Sequence, residues 1–144
     1  MKIDVGSIDD VVSLNAQIPE FNQNKLLKEK ITERVRDKQH LVLVARLDGL
    51  LIGYKVGYQY SADTFYSWLG AVLPEYRGRG VATKLREFQE SWAKNNGYRE
   101  LEVKSMNQFP AMLNLLISSG YHIYGYQEGC IKGAGKILFS KKLV

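Results

Sequence analysis

Apolar and polar positions along the chain change period several times, and each change marks an element. The opening KIDV reads as a short strand. SIDDVVSLNAQI then places Ile8, Val11, Val12 and Leu14 near helical spacing, with Ser7 as the N-cap. NKLLKEKITERVRDK repeats Leu27, Ile31 and Val35 on one face behind a cap at Asn24, with charges on the other face. The pattern next turns β-rich. HLVLVARL, a hairpin signal at Asp48-Gly49, LLIGYKVGYQY and TFYSWLGAVL predict an antiparallel meander, in which Gly53 and Gly57 mark a bulge or a close backbone approach. Val81, Leu85, Phe88 and Trp92 restore one helical face, closed by Asn96-Gly97. YRELEVKSM alternates Leu101 and Val103 against Glu102 and Lys104, as a strand does. Pro110 opens a last helix through AMLNLLISS that ends at Gly120, and YHIYGYQ and KILFSKKL finish as two strands.

The order is β-α-α-β-β-β-α-β-α-β-β. Its central strand-helix-strand segment, residues 64–104, predicts a parallel crossover within an otherwise antiparallel sheet, because a helix is the usual return path between parallel neighbours. The expected class is α+β: a mixed, mostly antiparallel central sheet flanked by helices. A length of 144 residues predicts a single domain, 1–144.

Composition changes this picture little. The chain is 45% hydrophobic and 24% charged, as ordinary globular proteins are. It has no apolar run of about 18 residues, and its start lacks the pattern of a secretion signal, so no membrane partner is expected. A single cysteine, Cys130, suits a reducing cytoplasm, and His40 and His122 show no metal-ligand spacing. The net charge of +5 allows an anionic partner. The basic residues are dispersed, however, apart from Lys132, Lys136, Lys141 and Lys142 after the last acid, Glu128, and no nucleic acid is expected.

The stretch LPEYRGRGVATKL, residues 73–85, carries the chemistry. A helix that starts from a glycine turn at a strand end offers unpartnered N–H groups and the positive end of its dipole. Glycines let the backbone approach a ligand, so the junction suits a pyrophosphate, and Arg77 and Arg79 add charge-assisted contacts. The G-x-x-x-x-G-K-[ST] phosphate loop and the G-x-G-x-x-G dinucleotide fingerprint are both absent. A plain turn with exposed arginines would carry the same bare pattern.

AVLPEYRGRGVATKL resembles the acetyl-CoA motif of the GNAT superfamily of N-acetyltransferases: Arg or Gln, two residues, Gly, one residue, then Gly or Ala, met here by Arg77, Gly80 and Ala82. The element order is similar to that of the family along essentially the whole chain. The resemblance implies a parallel pair of strands splayed into a slot. It implies acetyl-CoA as donor, its pyrophosphate on the backbone of Gly78, Arg79, Gly80, Val81, Ala82 and Thr83, and its pantetheine arm along the edge of Ala71, Val72 and Leu73. Asn107, in SMNQ, matches a position that often contacts the cofactor.

For catalysis the resemblance implies Val72 N–H as the oxyanion donor and Glu102 as the general base. A strand glutamate paired with Lys104 or Arg99 fits Glu102 equally well. The family's usual acid, a tyrosine on the next helix, aligns with Leu116. That departure leaves Tyr121, Tyr124 or Tyr126 as substitutes, Tyr121 foremost, or no side-chain acid at all. Cys130 has no partner pattern for a covalent route, so direct transfer is the expected path. The aromatic meander, Tyr54, Tyr58, Tyr60, Phe65, Tyr66 and Trp68, supplies core, with some rings lining an acceptor cleft or a homodimer contact. The acceptor is an amine, small-molecule or protein. Polyamines, aminoglycoside-like amines, amino acids and protein amines all fit. A non-catalytic acyl-CoA-binding or partner-binding domain is the competing reading.

Overall fold

A computed structural model of the chain describes residues 1–21 and 26–143. The strands are β1 (Lys2–Val5), β2 (His40–Leu47), β3 (Leu50–Gln59), β4 (Thr64–Val72), β5 (Glu100–Ser105), β6 (His122–Gln127) and β7 (Lys136–Lys142). The helices are α1 (Ile8–Ala16), α2 (Leu27–Val35), α3 (Val81–Asn95) and α4 (Pro110–Ser118), with a 3-10 turn at Pro74–Tyr76. The element order is the one the periodicity predicts, and the fold is α+β with a mixed sheet.

Local chemistry explains most boundaries. Ser7 accepts from Asp10 N–H while the Asp10 carboxylate accepts from Ser7 N–H, a reciprocal cap that starts α1. Asp48 and Gly49 both adopt positive φ, 50° and 83°, the turn that matches the twist of a two-residue hairpin. Gly97 (φ 89°) ends α3, where Tyr98 N–H reaches back to Ala93 C=O at 3.0 Å. Asn24, the expected cap of the second helix, lies outside the described residues.

The seven strands lie in the order β1-β2-β3-β4-β5-β7-β6, and every neighbouring pair is antiparallel except β4 and β5. Strand alternation divides the core in two. Leu41, Leu43, Phe65, Leu101, Val103 and Phe139 face α3 and α4; Val42, Val44, Tyr54, Val56 and Tyr66 face α1 and α2. The buried stripe of α3 differs from the expected one. It runs Val81, Leu85, Gln89 and Ala93, while Phe88 stays 39% exposed and Trp92 is half-buried. Gln89 turns inward over Gly57, where an added Cβ would stand 2.8 Å from its amide nitrogen and 2.5 Å from Phe65. Gly57 therefore marks a close approach. Among the described residues no helix is long and apolar enough to cross a membrane.

Candidate active site

The parallel pair is short. β4 and β5 stay in register only from Thr64 opposite Glu100 to Ser67 opposite Val103, and then separate, although β4 continues to Val72 and β5 to Ser105. A bulge coincides with the fork. Val56 faces Leu69 and Gly57 faces Ser67, so Trp68 is the extra residue that bends β4 away. Beyond the bulge, Leu73 N–H donates to Ile52 C=O at 2.8 Å. Neighbouring residues point their backbone groups to opposite sides, so Val72 turns its N–H and C=O into the fork. Arg77 Nε donates to that carbonyl at 3.0 Å, and its Nη1 reaches Glu20 at 3.3 Å. The Glu20 carboxyl is held below its usual range, first by its backbone hydrogen bond and then by Arg77.

At the foot of the fork, Gly78 and Gly80 take positive φ, 77° and 82°, a region costly for residues with a Cβ. Gly80 is the N-cap of α3, and no side chain caps the helix or places an acid in its first turn. The first intrahelical bond is Lys84 N–H to Gly80 C=O at 3.0 Å, so the N–H groups of Val81, Ala82 and Thr83 lie ahead of the ladder. They border a cavity of about 550 Å³, together with Ala71, Val72, Arg77, Gly78 and Gly80. An uncapped, acid-free helix start with open glycines is suited to an anion, and this donor set fits the pyrophosphate of acetyl-CoA.

A larger cavity, about 1120 Å³, opens beside the first and shares Lys55, Gly70 and Arg77 with it. Tyr54, Tyr66 and Trp68 contribute aromatic wall. Tyr54 donates its hydroxyl to Asn15 Oδ1 at 2.9 Å, and burial pushes its pKa up to about 12. Lys55 stands opposite Gly70, and its Nζ lies 3.6 Å from where a Gly70 Cβ would sit. The missing side chain lets the ammonium reach the junction of the two cavities. Burial, and then Arg86, lower the Lys55 pKa to about 8. Lys104 Nζ lies 5.5 Å from the Tyr66 ring centre.

The residues singled out in the sequence divide. Ala71, Val72, Arg77, Gly78, Gly80, Val81, Ala82 and Thr83 surround one cavity. Leu73 does not: its N–H is used by β3 and its side chain is buried in the α1–α2 core. Arg79 is exposed and lies over the Tyr76 ring at 5.3 Å. Asn107 is exposed and borders neither cavity, although Met106 and Gln108 line the larger one. Glu102 sits opposite Tyr66 one pair behind the fork, beside Tyr124, and lines neither cavity. Burial, and then Glu102, push the Tyr124 phenol up to about 12.

Tyr121 is set apart from the fork. It is 3% exposed in the α3–α4 core and donates to Glu90 Oε2 at 2.8 Å; burial, and then Glu90, raise its pKa. Leu116 is buried in the same core. The sequence reading missed Lys55, Glu20 and Lys104 as cavity residues. A charged residue in an apolar strand, as Lys55 is in LIGYKVGY, was the available signal.

Residues 8–121 match the model of the acetyltransferase (GNAT) family. L-2,4-diaminobutyric acid acetyltransferase of Nocardia farcinica (strain IFM 10152) is 42% identical over 52 residues, 35% of this chain and 27% of that protein, so the match spans about a quarter of the relative. An aminoglycoside 6'-N-acetyltransferase solved with coenzyme A superposes with a TM-score of 0.82 at 14% identity, over 100% of this chain and 98% of that one. A GNAT family acetyltransferase from Elizabethkingia anophelis, with acetyl-CoA bound, gives a TM-score of 0.78 at 18% identity, over 98% of this chain and 97% of that one. The forked parallel pair, the uncapped glycine start of α3 and this family match together show that the chain belongs to the GNAT family of acetyltransferases.

Proposed function

We propose that the protein moves the acetyl group of acetyl-CoA directly to an amine. The observation that carries this reading is the uncapped start of α3, facing the same cavity as the fork-directed backbone of Val72. Acetyl-CoA supplies an activated thioester carbonyl and a thiol leaving group. The N–H groups of Val81, Ala82 and Thr83 hold the pyrophosphate, and Gly78 and Gly80 keep the approach open. Arg77 fixes the Val72 carbonyl, which leaves the Val72 N–H to donate to an oxygen that gains charge during transfer. Ala71 gives wall to the slot. Arg79 and Asn107, both exposed, stand at most at the rim of this arrangement.

Glu102 is the proposed base. It shares a sheet face with Tyr66 and Lys104, one residue pair behind the fork. Glu20, a carboxylate that lines the larger cavity, is already engaged by Arg77. The acceptor enters the larger cavity from the α1–α2 side. Diverse acceptors are named among similar proteins, a diaminobutyric acid in one and an aminoglycoside in another. The lone cysteine, exposed Cys130, agrees with a cytoplasmic site of action. Exposed Ile123, Tyr124 and Tyr126 on the edge strand β6 offer a homodimer contact.

Leu116 favours a second reading, a domain that binds acetyl-CoA without transferring from it, because α4 presents no hydroxyl at that position. Two measurements separate the readings. Calorimetry is expected to show acetyl-CoA binding that Gly80→Glu abolishes; retained binding in that variant would sink the cradle. Thiol release across a panel of amines is expected to show turnover, with Glu102→Gln lowering kcat about 10²-fold or more. Silence with every amine would leave the binding-only reading, and a full rate in Glu102→Gln at all pH values would remove Glu102 from catalysis.

A further inference from the structure

The larger cavity is charged in one sense. Lys30 of α2, Lys55 of β3, Lys104 of β5 and Lys136 of β7 all line it, and none has an ion-pair partner among the described residues. Glu20 is a lining carboxylate, and Arg77 neutralises it at 3.3 Å. The phosphate cradle does not account for these lysines. Lys30, Lys104 and Lys136 border only the larger cavity, whereas the start of α3 borders only the smaller one.

We infer that the acceptor is a small amine that carries a carboxylate or equivalent anion, held by Lys104, Lys30 and Lys136 while its amine points to the fork. Three physical points support this. A cleft lined by one sign of charge concentrates ligands of the other sign. Polyamines and aminoglycosides, which bring several positive charges, meet repulsion from the same lysines. Positive charge around an ammonium also favours its neutral form, the one that attacks a thioester, so Lys55 at the junction of the cavities assists deprotonation of an amine delivered there.

This inference rests on the transferase reading above. Its test compares amines of equal length and different terminal charge: 4-aminobutyrate, 4-aminobutanamide and putrescine, then phenylalanine against phenylalaninamide. Thiol release reads kcat/KM at low and high salt, and calorimetry separately reads acetyl-CoA binding. The acids are expected to exceed their amides at least fivefold, with putrescine the poorest. The preference should shrink at high salt, because exposed charges are screened. Lys104→Gln, Lys30→Gln and Lys136→Gln should each reduce the acid-to-amide ratio about two- to fivefold. Equal rates for acids and amides, or a preference for putrescine, would overturn the inference and leave the transferase reading intact. Acetyl-CoA binding without turnover of any amine would overturn both.

Discussion

Lys55 shows at one residue how a site and a stability cost coincide. An ammonium within a sheet next to Arg86 is held at a pKa of about 8, below the ordinary lysine value. The sign follows from the linkage of protonation to folding. Above the unfolded-state pKa of about 10.4 the group is neutral in both states and costs nothing. As pH falls from about 10 to 8 the unfolded chain takes up the proton while the folded protein resists it, so stability is lost, and below about 8 both states are charged and the loss is complete. Lys55→Met is expected to stabilise the protein at pH 7 by about 1–2 kcal/mol and to remove the slope between pH 8 and 10 in chemical denaturation. An unchanged slope would show that Lys55 is not the group responsible. The glycines of the α3 start were readable because positive φ is a local demand that few side chains tolerate. The environment of Lys55 was not, because it depends on Gly70 across the ladder and Arg86 on a distant helix.

At the scale of elements, β4 separates what the sequence could say from what it could not. Its apolar run announces a strand, and its glycine turn announces the helix that follows. The bulge at Trp68 has no local signature, yet it sets which backbone groups of Val72 and Leu73 face the fork. The family resemblance gives all of Ala71 to Leu73 to the slot, whereas Leu73 belongs to β3 and the core. The same packing fixes Gly57. Gly57→Ala would drive a methyl into Phe65, Gln89 and the Tyr66 carbonyl, contacts of 2.5–2.8 Å. A loss of about 2–3 kcal/mol is expected, read as a lower urea midpoint at unchanged m. A neutral result would mean that α3 can shift off the sheet freely.

Across the whole molecule, Glu90 gathers groups that are far apart in sequence. Its carboxylate accepts from Arg86 at 2.9 Å, Tyr121 at 2.8 Å and Lys141 at 3.1 Å, and so ties α3 to the segment before β6 and to β7. Burial pushes its pKa up, but hydrogen bonds from Tyr121, Arg86 and Lys141 outweigh it and leave it below the usual value. This stability is present above the unfolded carboxylate pKa and is lost as pH falls through the folded one. Glu90→Gln should therefore cost about 2 kcal/mol near neutral pH, and the gap from the wild type should narrow as the solution is acidified below about pH 4.5. A gap that stays constant with pH would separate the loss from the carboxylate's charge. No spacing rule reaches from position 90 to 141, so this network and the ring of cavity lysines appear only once the chain is folded.

Among the described residues, four residue pairs join β1–β4 to β5–β7 through the sheet. The sheet thus resembles two panels joined by a short seam over a shared core, with the open part of the seam lined by backbone groups that an ordinary sheet would use for itself. In the pose proposed above, a donor molecule in the fork takes the place of the missing strand contacts. Binding then adds to stability: ligand at a hundred times its dissociation constant contributes about 2.7 kcal/mol to the whole fold. Slowed amide exchange should spread from the fork into β5 and β7, so that the panel on the far side of the seam registers the donor's arrival.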